Sequence, residues 1–290
     1  MAATVTATDV KKLRDATGAG MMECKAALTE AHGNFEDATT VLRKRGLASA
    51  AKKAGRATTE GLIGSRLAPD HSSGTLVEVN CESDFVARTD DFQKLMQDIL
   101  SEIEQAGDAA SDAWLTDPNG PVVALIKPVI GKLGENMAAP RLARYAGTGF
   151  VGQYIHPGGK IAVQVEFANV TPEVAGRDEF TTVVKEVAMQ IAASSPLYVS
   201  RSAVPADTLE KERAIYRAQM ENSGKPANVI DKIVEGKLGS FYSQFVLTDQ
   251  PSIRDPKVSV NDVLTAASKA LGATVTVSRF ARLRVGEIAQ

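Results

Sequence analysis

Apolar positions recur at three- and four-residue spacing through the first 46 residues, and the spacing predicts three short helices. Thr8 is placed to cap the first, which carries Val10 and Leu13 and stops at Gly18. Met21, Cys24 and Leu28 form the apolar face of the second, closing near Gly33. Asn34 caps the third, with Asp37 at the reciprocal position, Phe35, Ala38 and Leu42 on one face, and Gly46 just past its end. On this pattern Met21 belongs to the core, while Met22, about 100° around the helix, is free to meet a partner. The segment from Ala48 to Arg56 is small and charged and reads as a linker, with helix left open as its conformation.

Beyond it the period changes. Leu76-Val77-Glu78-Val79 suits a buried strand, and Asp91-Phe92 opens a helical pattern with Leu95, Met96 and Ile99. The same pieces return later. Gly61-Leu62-Ile63-Gly64 recurs as Gly149-Phe150-Val151-Gly152, and Leu76-Val77-Glu78-Val79 as Ala162-Val163-Gln164-Val165. Asp91-Phe92 recurs as Glu179-Phe180, followed by Val183, Val184, Val187 and Ile191. Arg141-Leu142-Ala143-Arg144-Tyr145 recurs as Arg279-Phe280-Ala281-Arg282-Leu283. Four matches in one order predict a repeated core of small antiparallel sheets with helices on one face, an α+β class. The second copy is interrupted. Thr208 to Met220 is a charged helix with Leu209, Tyr216 and Met220 in a seam, and Asn222-Ser223-Gly224-Lys225-Pro226 turns the chain. Ile230, Val234, Leu238, Phe241 and Phe245 then return as an apolar stripe, which together predicts an antiparallel helical hairpin. The expected division is 1–46, a three-helix domain; 47–59, a linker; 60–147, the first half of the core; 148–200 with 250–290, the second half; and 201–249, the inserted hairpin.

Composition narrows the function classes. The chain has 290 residues, 33 Lys plus Arg against 35 Asp plus Glu, and a net charge of −2, so no global field for nucleic acid exists. Charge is uneven: residues 1–56 hold ten basic and six acidic side chains, and residues 78–117 eleven acidic and two basic. The second stretch predicts an acidic face suited to a basic protein partner. Two cysteines and three histidines at unrelated positions predict neither a disulfide framework nor a metal site. No apolar run approaches the ~20 residues of a membrane span, and a cytoplasmic protein without a cofactor is expected.

Candidate chemistry is sparse. Gly147-Thr148-Gly149-Phe150-Val151-Gly152 fits G-x-G-x-x-G, but Tyr154, Ile155 and a Pro157-Gly158-Gly159 turn follow where a dinucleotide site needs a helix. His156 lacks a Ser, Cys or carboxylate constellation and reads as a surface contact. Glu82 and Asp84 could form an acid–base pair, although no pocket around them is inferable. The most informative stretch is Asn80-Cys81-Glu82-Ser83-Asp84-Phe85-Val86-Ala87. Phe85, between a strand and a helix, either tucks beneath its own domain or projects into a partner, and the acidic neighbours describe an exposed loop.

Two stretches resemble a known family. Thr17-Gly18-Ala19-Gly20-Met21-Met22-Glu23-Cys24-Lys25-Ala26-Ala27-Leu28 is similar to the N-terminal signature of bacterial translation elongation factor Ts, and Val79 to Ala87 to its second signature, centred on T-D-F-V. Agreement continues through Ala51-Lys52-Lys53-Ala54-Gly55, Ser223-Gly224-Lys225-Pro226 and Arg282-Leu283-Arg284-Val285-Gly286-Glu287. The resemblance implies a ubiquitin-associated (UBA-like) N-terminal domain, a two-part core and a coiled-coil hairpin. It implies a nucleotide exchange factor for the GTPase elongation factor Tu, acting by binding rather than covalent chemistry. Ser83, Asp84, Phe85 and Val86 would dislodge the GTPase's Mg²⁺, with Arg14, Met21, Met22, Lys25 and His156 as further contacts. A dimer or a 2:2 complex with the GTPase is compatible with it; membrane and sequence-specific nucleic acid are not expected partners. Ser83 stands where the family has Thr, which keeps the hydroxyl and loses a methyl. A longer C-terminal module found in some members has no counterpart after the last strand, so fewer contacts are expected.

Overall fold

The computed structural model describes residues 5–147, 149–220 and 225–287. Three helices open the chain: α1 (Ala7–Thr17), α2 (Met21–Glu30) and α3 (Phe35–Lys53). Thr6, not Thr8, caps α1, because Asp9 reaches back to complete a capping box with it. Gly18 ends α1 in the left-handed conformation and Asn34 caps α3, accepting from the amides of Glu36 and Asp37. Val10, Leu13, Cys24, Ala27, Leu28 and Ala38 form their shared core. Met21 does not join it. As the first residue of α2 its side chain leans back past the helix end, where there is no preceding turn to cover it, and it is 44% exposed.

Helix α3 also runs past Gly46 to Lys53, so the first part of the expected linker is helical. The reason is a close approach to α7 (Pro121–Leu133): a Cβ built on Gly131 would lie 2.7 Å from the Gly46 Cα. Gly46 therefore serves packing inside a helix rather than ending one.

The rest is two copies of one unit. In the first, β1 (Glu60–Leu67), β2 (Ser73–Cys81) and β3 (Met137–Ala146) form an antiparallel sheet in that order. Between β2 and β3 come α4 (Asp84–Ala87), α5 (Asp90–Ala106), α6 (Asp112–Thr116) and α7. In the second copy, β4 (Phe150–Ile155), β5 (Ile161–Ala168) and β6 (Thr276–Arg284) repeat the sheet. There β5 is followed by α8 (Pro172–Ala175), α9 (Asp178–Ser194), the helix pair α10 (Ala206–Ala218) and α11 (Ala227–Phe245), and α12 (Val260–Leu271). Each sheet lays one face on its long helix. Phe92, Leu95, Ile99 and Ile103 of α5 meet Val77 and Val79, while Phe180, Val184, Val187 and Ile191 of α9 meet Val163, Val165 and Phe167.

Strand pairing fixes the register of the repeat. Gly64 pairs with Val77 and Gly152 with Val165, so each residue's counterpart lies 88 positions on. Leu76-Val77-Glu78-Val79 thus matches Gln164-Val165-Glu166-Phe167, two residues later than the expected Ala162 to Val165. A slip of two keeps every side chain on its own face, so alternation alone could not detect it. The corrected register aligns Glu78–Arg141 with Glu166–Arg279, both ion-paired across a strand pair beside an irregularity in the ladder. It also reveals reciprocal contacts between the copies. Ile63 N donates to Gly159 O and Val151 N donates to His71 O, each at 2.8 Å. Ile63, Leu76, Ala162 and Leu283 close the seam between the sheets. This is the arrangement of a two-fold dimer within one chain.

Five of the eleven acidic side chains in the acidic stretch are ion-paired by basic residues brought in from elsewhere. Arg141 neutralises Glu78, Lys132 Asp91, Arg144 Asp108, Arg66 Glu104 and Arg56 Glu82, all from distant sequence. In the interrupting pair, Arg217–Asp231 and Arg213–Glu235 join α10 to α11, and Val234, Leu238 and Phe241 are buried. The turn residues Asn222 to Gly224 lie outside the described residues.

Candidate functional site

Helix α4 is a single turn, too short to be stable unless its ends are held. Ser83 caps it, its hydroxyl accepting from Val86 N at 3.5 Å. The same hydroxyl donates to Glu135 Oε1 at 2.6 Å, and Ser83 N donates to Glu135 Oε2 at 2.9 Å. Beneath it the Cys81 thiol donates to Ser83 O at 3.0 Å, and burial pushes that thiol up to about 11. At the far end the Thr89 hydroxyl donates to Val86 O at 2.8 Å and Gln93 Nε2 to Ala87 O at 3.0 Å. Ala87 is buried and Val86 half-buried, which pins one side of the turn to the core.

Phe85 lies on the other side and is 80% exposed. The ring is not tucked beneath its own domain; it stands out from a capped helical turn rather than a loose loop. Asp84 is held beside it by Arg88 Nη2 at 2.8 Å, one helical turn on. Glu82 is occupied otherwise, accepting from Asn136 N at 2.7 Å and pairing with Arg56 at 3.4 Å. Glu82 and Asp84 thus have separate partners and do not form an acid–base couple.

The remaining sequence candidates sit on two elements tied to this end of the first sheet. Met22 is 75% exposed at the start of α2, with Arg14 and Lys25 also exposed. The preceding turn is fixed by Gly18, where an added Cβ would lie 2.2 Å from Lys132 Cε. That lysine bonds Asp91 at 2.6 Å, at the head of α5. The α1–α2 turn is thereby linked through one side chain to the helix that directly follows α4. His156 is exposed on the β4–β5 turn, its Nδ1 3.0 Å from the Tyr154 hydroxyl. Gly159 O and the Lys160–Glu60 ion pair fasten this turn to β1, and Glu60 pairs with Cys81.

The glycine triplet has a packing explanation. No helix follows it, and a Cβ on Gly152 would lie 2.2 Å from Val184 Cγ1 while one on Gly149 would lie 2.5 Å from Glu166 Cγ. Thr148 lies outside the described residues. Among the described residues no group of three or more His, Cys, Asp and Glu side chains could hold a metal, and no helix is long and apolar enough to cross a membrane.

Glu135, Asn136, Arg56 and Lys132, which hold the site together, were not marked by the sequence. They come from segments far from Ser83, and no local spacing signals them.

The family model described as Elongation factor TS matches residues 82–287. The chain belongs to the elongation factor Ts family. It is 43% identical over 288 residues to elongation factor Ts of Aquifex aeolicus, covering 96% of this chain and 97% of that protein. It is 41% identical over 289 residues to elongation factor Ts of Trichlorobacter lovleyi, with 98% and 93% covered, and 42% identical over 292 residues to that of Lawsonia intracellularis, with 98% and 99%. The family model begins at Glu82, one residue before the cap of α4. Helices α1–α3 lie outside it but within the span of the elongation factor Ts relatives.

The second half carries a helical counterpart of α4 at its equivalent turn, where the sequence has Asn169-Val170-Thr171-Pro172 and no Asp-Phe pair. Thr171 caps α8 through Val174 N at 3.3 Å, as Ser83 caps α4, but Pro172 and Glu173 stand where Asp84 and Phe85 do. A capping Thr followed by Pro at the first helical position was the available signal. One fold element occurs twice, and only one copy carries the exposed aromatic.

Proposed function

We propose that this protein is a guanine nucleotide exchange factor for elongation factor Tu, and that α4 is its wedge. The carrying observation is Phe85, 80% exposed on a helical turn hydrogen-bonded at both ends. An exposed aromatic gains little for its own fold and suits insertion into a partner. In this reading Asp84 and Phe85, flanked by Ser83 and Val86, enter the GTPase near its switch II helix and disturb the Mg²⁺ site. Arg14, Met21, Met22 and Lys25 on a UBA-like domain form a second contact, and His156 a third. The α10–α11 pair acts as a coiled-coil arm.

Such a factor needs no catalytic acid or base. It binds the nucleotide-free GTPase more tightly than the GDP form, and by reciprocity GDP binds the complex more weakly, which permits GTP reloading in elongation. A differential of about 5 kcal/mol shifts GDP affinity by roughly four decades. Asp84 can change partners at small cost, because an exposed i,i+4 pair such as Asp84–Arg88 is worth only about 0.5 kcal/mol. Stopped-flow release of a fluorescent GDP from elongation factor Tu tests the reading. Acceleration that rises with the protein's concentration and saturates is expected; an unchanged release rate would overturn it.

A further inference from the structure

Phe85 projects, but a projecting ring transmits force only if its base is fixed, and one carboxylate takes both donors of the residue that caps α4. Glu135 accepts from both donors of Ser83, the amide at 2.9 Å and the hydroxyl at 2.6 Å. Charge-assisted bonds of this kind are short and roughly twice as strong as neutral ones. The hydroxyl then turns its remaining acceptor capacity to Val86 N, so a single group fixes both the entry to the turn and its first internal contact. Glu135 is carried by the segment joining α7 to β3, immediately after the left-handed cap Gly134. The next residue, Asn136, anchors the strand end before α4 by donating its amide to Glu82 and its side chain to the Arg56 carbonyl at 2.8 Å. On the other side α7 meets α3 at Gly131 and Gly46, and Lys132 meets the α1–α2 turn.

We infer that Glu135 is the positioning residue of the exchange reaction: it fixes the angle at which α4 presents Phe85 and couples that angle, through α7, to the three-helix unit whose α2 carries Met21 and Met22. The inference rests on the exchange reading. Glu135 does not touch the GTPase in this scheme; it acts through Ser83. The second half supports the assignment. Its counterpart α8 has a capping Thr171, yet the position matching Phe85 is Glu173, and Thr171 has no carboxylate bonded to it among the contacts of the described residues. The clamp accompanies the copy with the aromatic.

The test is a double-mutant cycle on the full chain, read as the maximal GDP release rate at saturating factor and the concentration giving half of it. Glu135→Gln keeps size but removes the charge; with its oxygen on Ser83 N, its NH₂ donates to the Ser83 hydroxyl, which loses its own acceptor and is shared with Val86 N. It should lower the maximal rate on the order of tenfold while moving half-saturation and the thermal midpoint little. In a Phe85→Ala background the same change should add less than about twofold, because a positioning residue has nothing left to position. Ser83→Ala, which removes the hydroxyl from the other side of the clamp, should reproduce the effect and serves if Glu135→Gln does not fold. Full additivity with Phe85→Ala, or a wild-type maximal rate in both clamp variants, overturns the inference. Absence of any acceleration by the unsubstituted protein would instead overturn the exchange reading itself, so the two failures are distinct.

Discussion

Replacing Phe85 by Ala separates function from fold more cleanly than any other single change. A Phe side chain offers roughly 150–250 Å² for burial, and here 80% of the residue faces solvent, so most of that area is still available to a partner. At about 25 cal/mol/Å² its full burial would bring ~3–5 kcal/mol. The methyl retained by Ala and the cost of ordering an interface reduce the loss to about 2–3 kcal/mol, typical of a hot-spot aromatic. Exchange efficiency should therefore fall roughly 30- to 150-fold. The free protein should not notice. The position is exposed in a helical turn where Ala is intrinsically preferred, so stability should stay within about 0.5 kcal/mol and tend upward. Fluorescent-GDP release across factor concentrations, paired with a thermal melt, measures both. A melting temperature lowered by several degrees would show that the ring supports the fold, and unaltered exchange would show that it is not the wedge.

Other expectations follow from close contacts and buried charge. Gly131→Ala should destabilise by about 1–3 kcal/mol, since its Cβ would sit 2.7 Å from backbone, whereas Gly46→Ala meets only an ordinary 3.8 Å contact and should be neutral or stabilising by up to ~1 kcal/mol. Thermal unfolding distinguishes them, and equal behaviour would contradict the packing described. Arg141→Met should cost about 3–5 kcal/mol by stranding Glu78, whose side chain is 1% exposed, and Arg279→Met less, because half of Arg279 faces water. Denaturant titration of both variants gives the order, and a reversed order would count against it. Burial raises the Cys81 thiol from 9.0 to about 11, favouring its protonated form in the folded state. Its contribution to stability is therefore complete below pH 9 and is lost as pH rises through about 11, and Cys81→Ala should remove that part of the alkaline slope. Iodoacetamide labelling of Cys81 in the folded protein at pH 8 should be far slower than in a peptide; peptide-like labelling would refute the burial.

Much of the architecture was legible because local signals agreed with the fold. Gly18 and Asn34 mark helix ends, and the α5 and α9 stripes mark the faces that cover the sheets. Two of the errors share a cause: a contact distant in sequence outweighed a local rule. Gly46 resembles a helix terminator until Gly131 is seen against it. The run from Glu78 to Asp117 reads as uniformly acidic until Arg56, Arg66, Lys132, Arg141 and Arg144 arrive to pair with five of its carboxylates. The repeat was recognisable, but a slip of two residues is invisible to a pattern of period two. At the site, Phe85 and Met22 could be marked as candidates, yet whether Phe85 projects depended on Ala87 and Val86 taking the buried side of α4. The support under it was beyond reach of sequence, because Glu135 is joined to Ser83 only through the fold.

Exchange by linkage requires the protein to distinguish two nucleotide states of the GTPase, and affinity measured in both states reads that difference. The protein is titrated against elongation factor Tu, once nucleotide-free and once with saturating GDP. Binding should be weaker by several decades with GDP present, with a matching loss of GDP affinity when the protein is bound. Equal affinity in the two states would contradict it, because a ligand that does not distinguish the states cannot shift them.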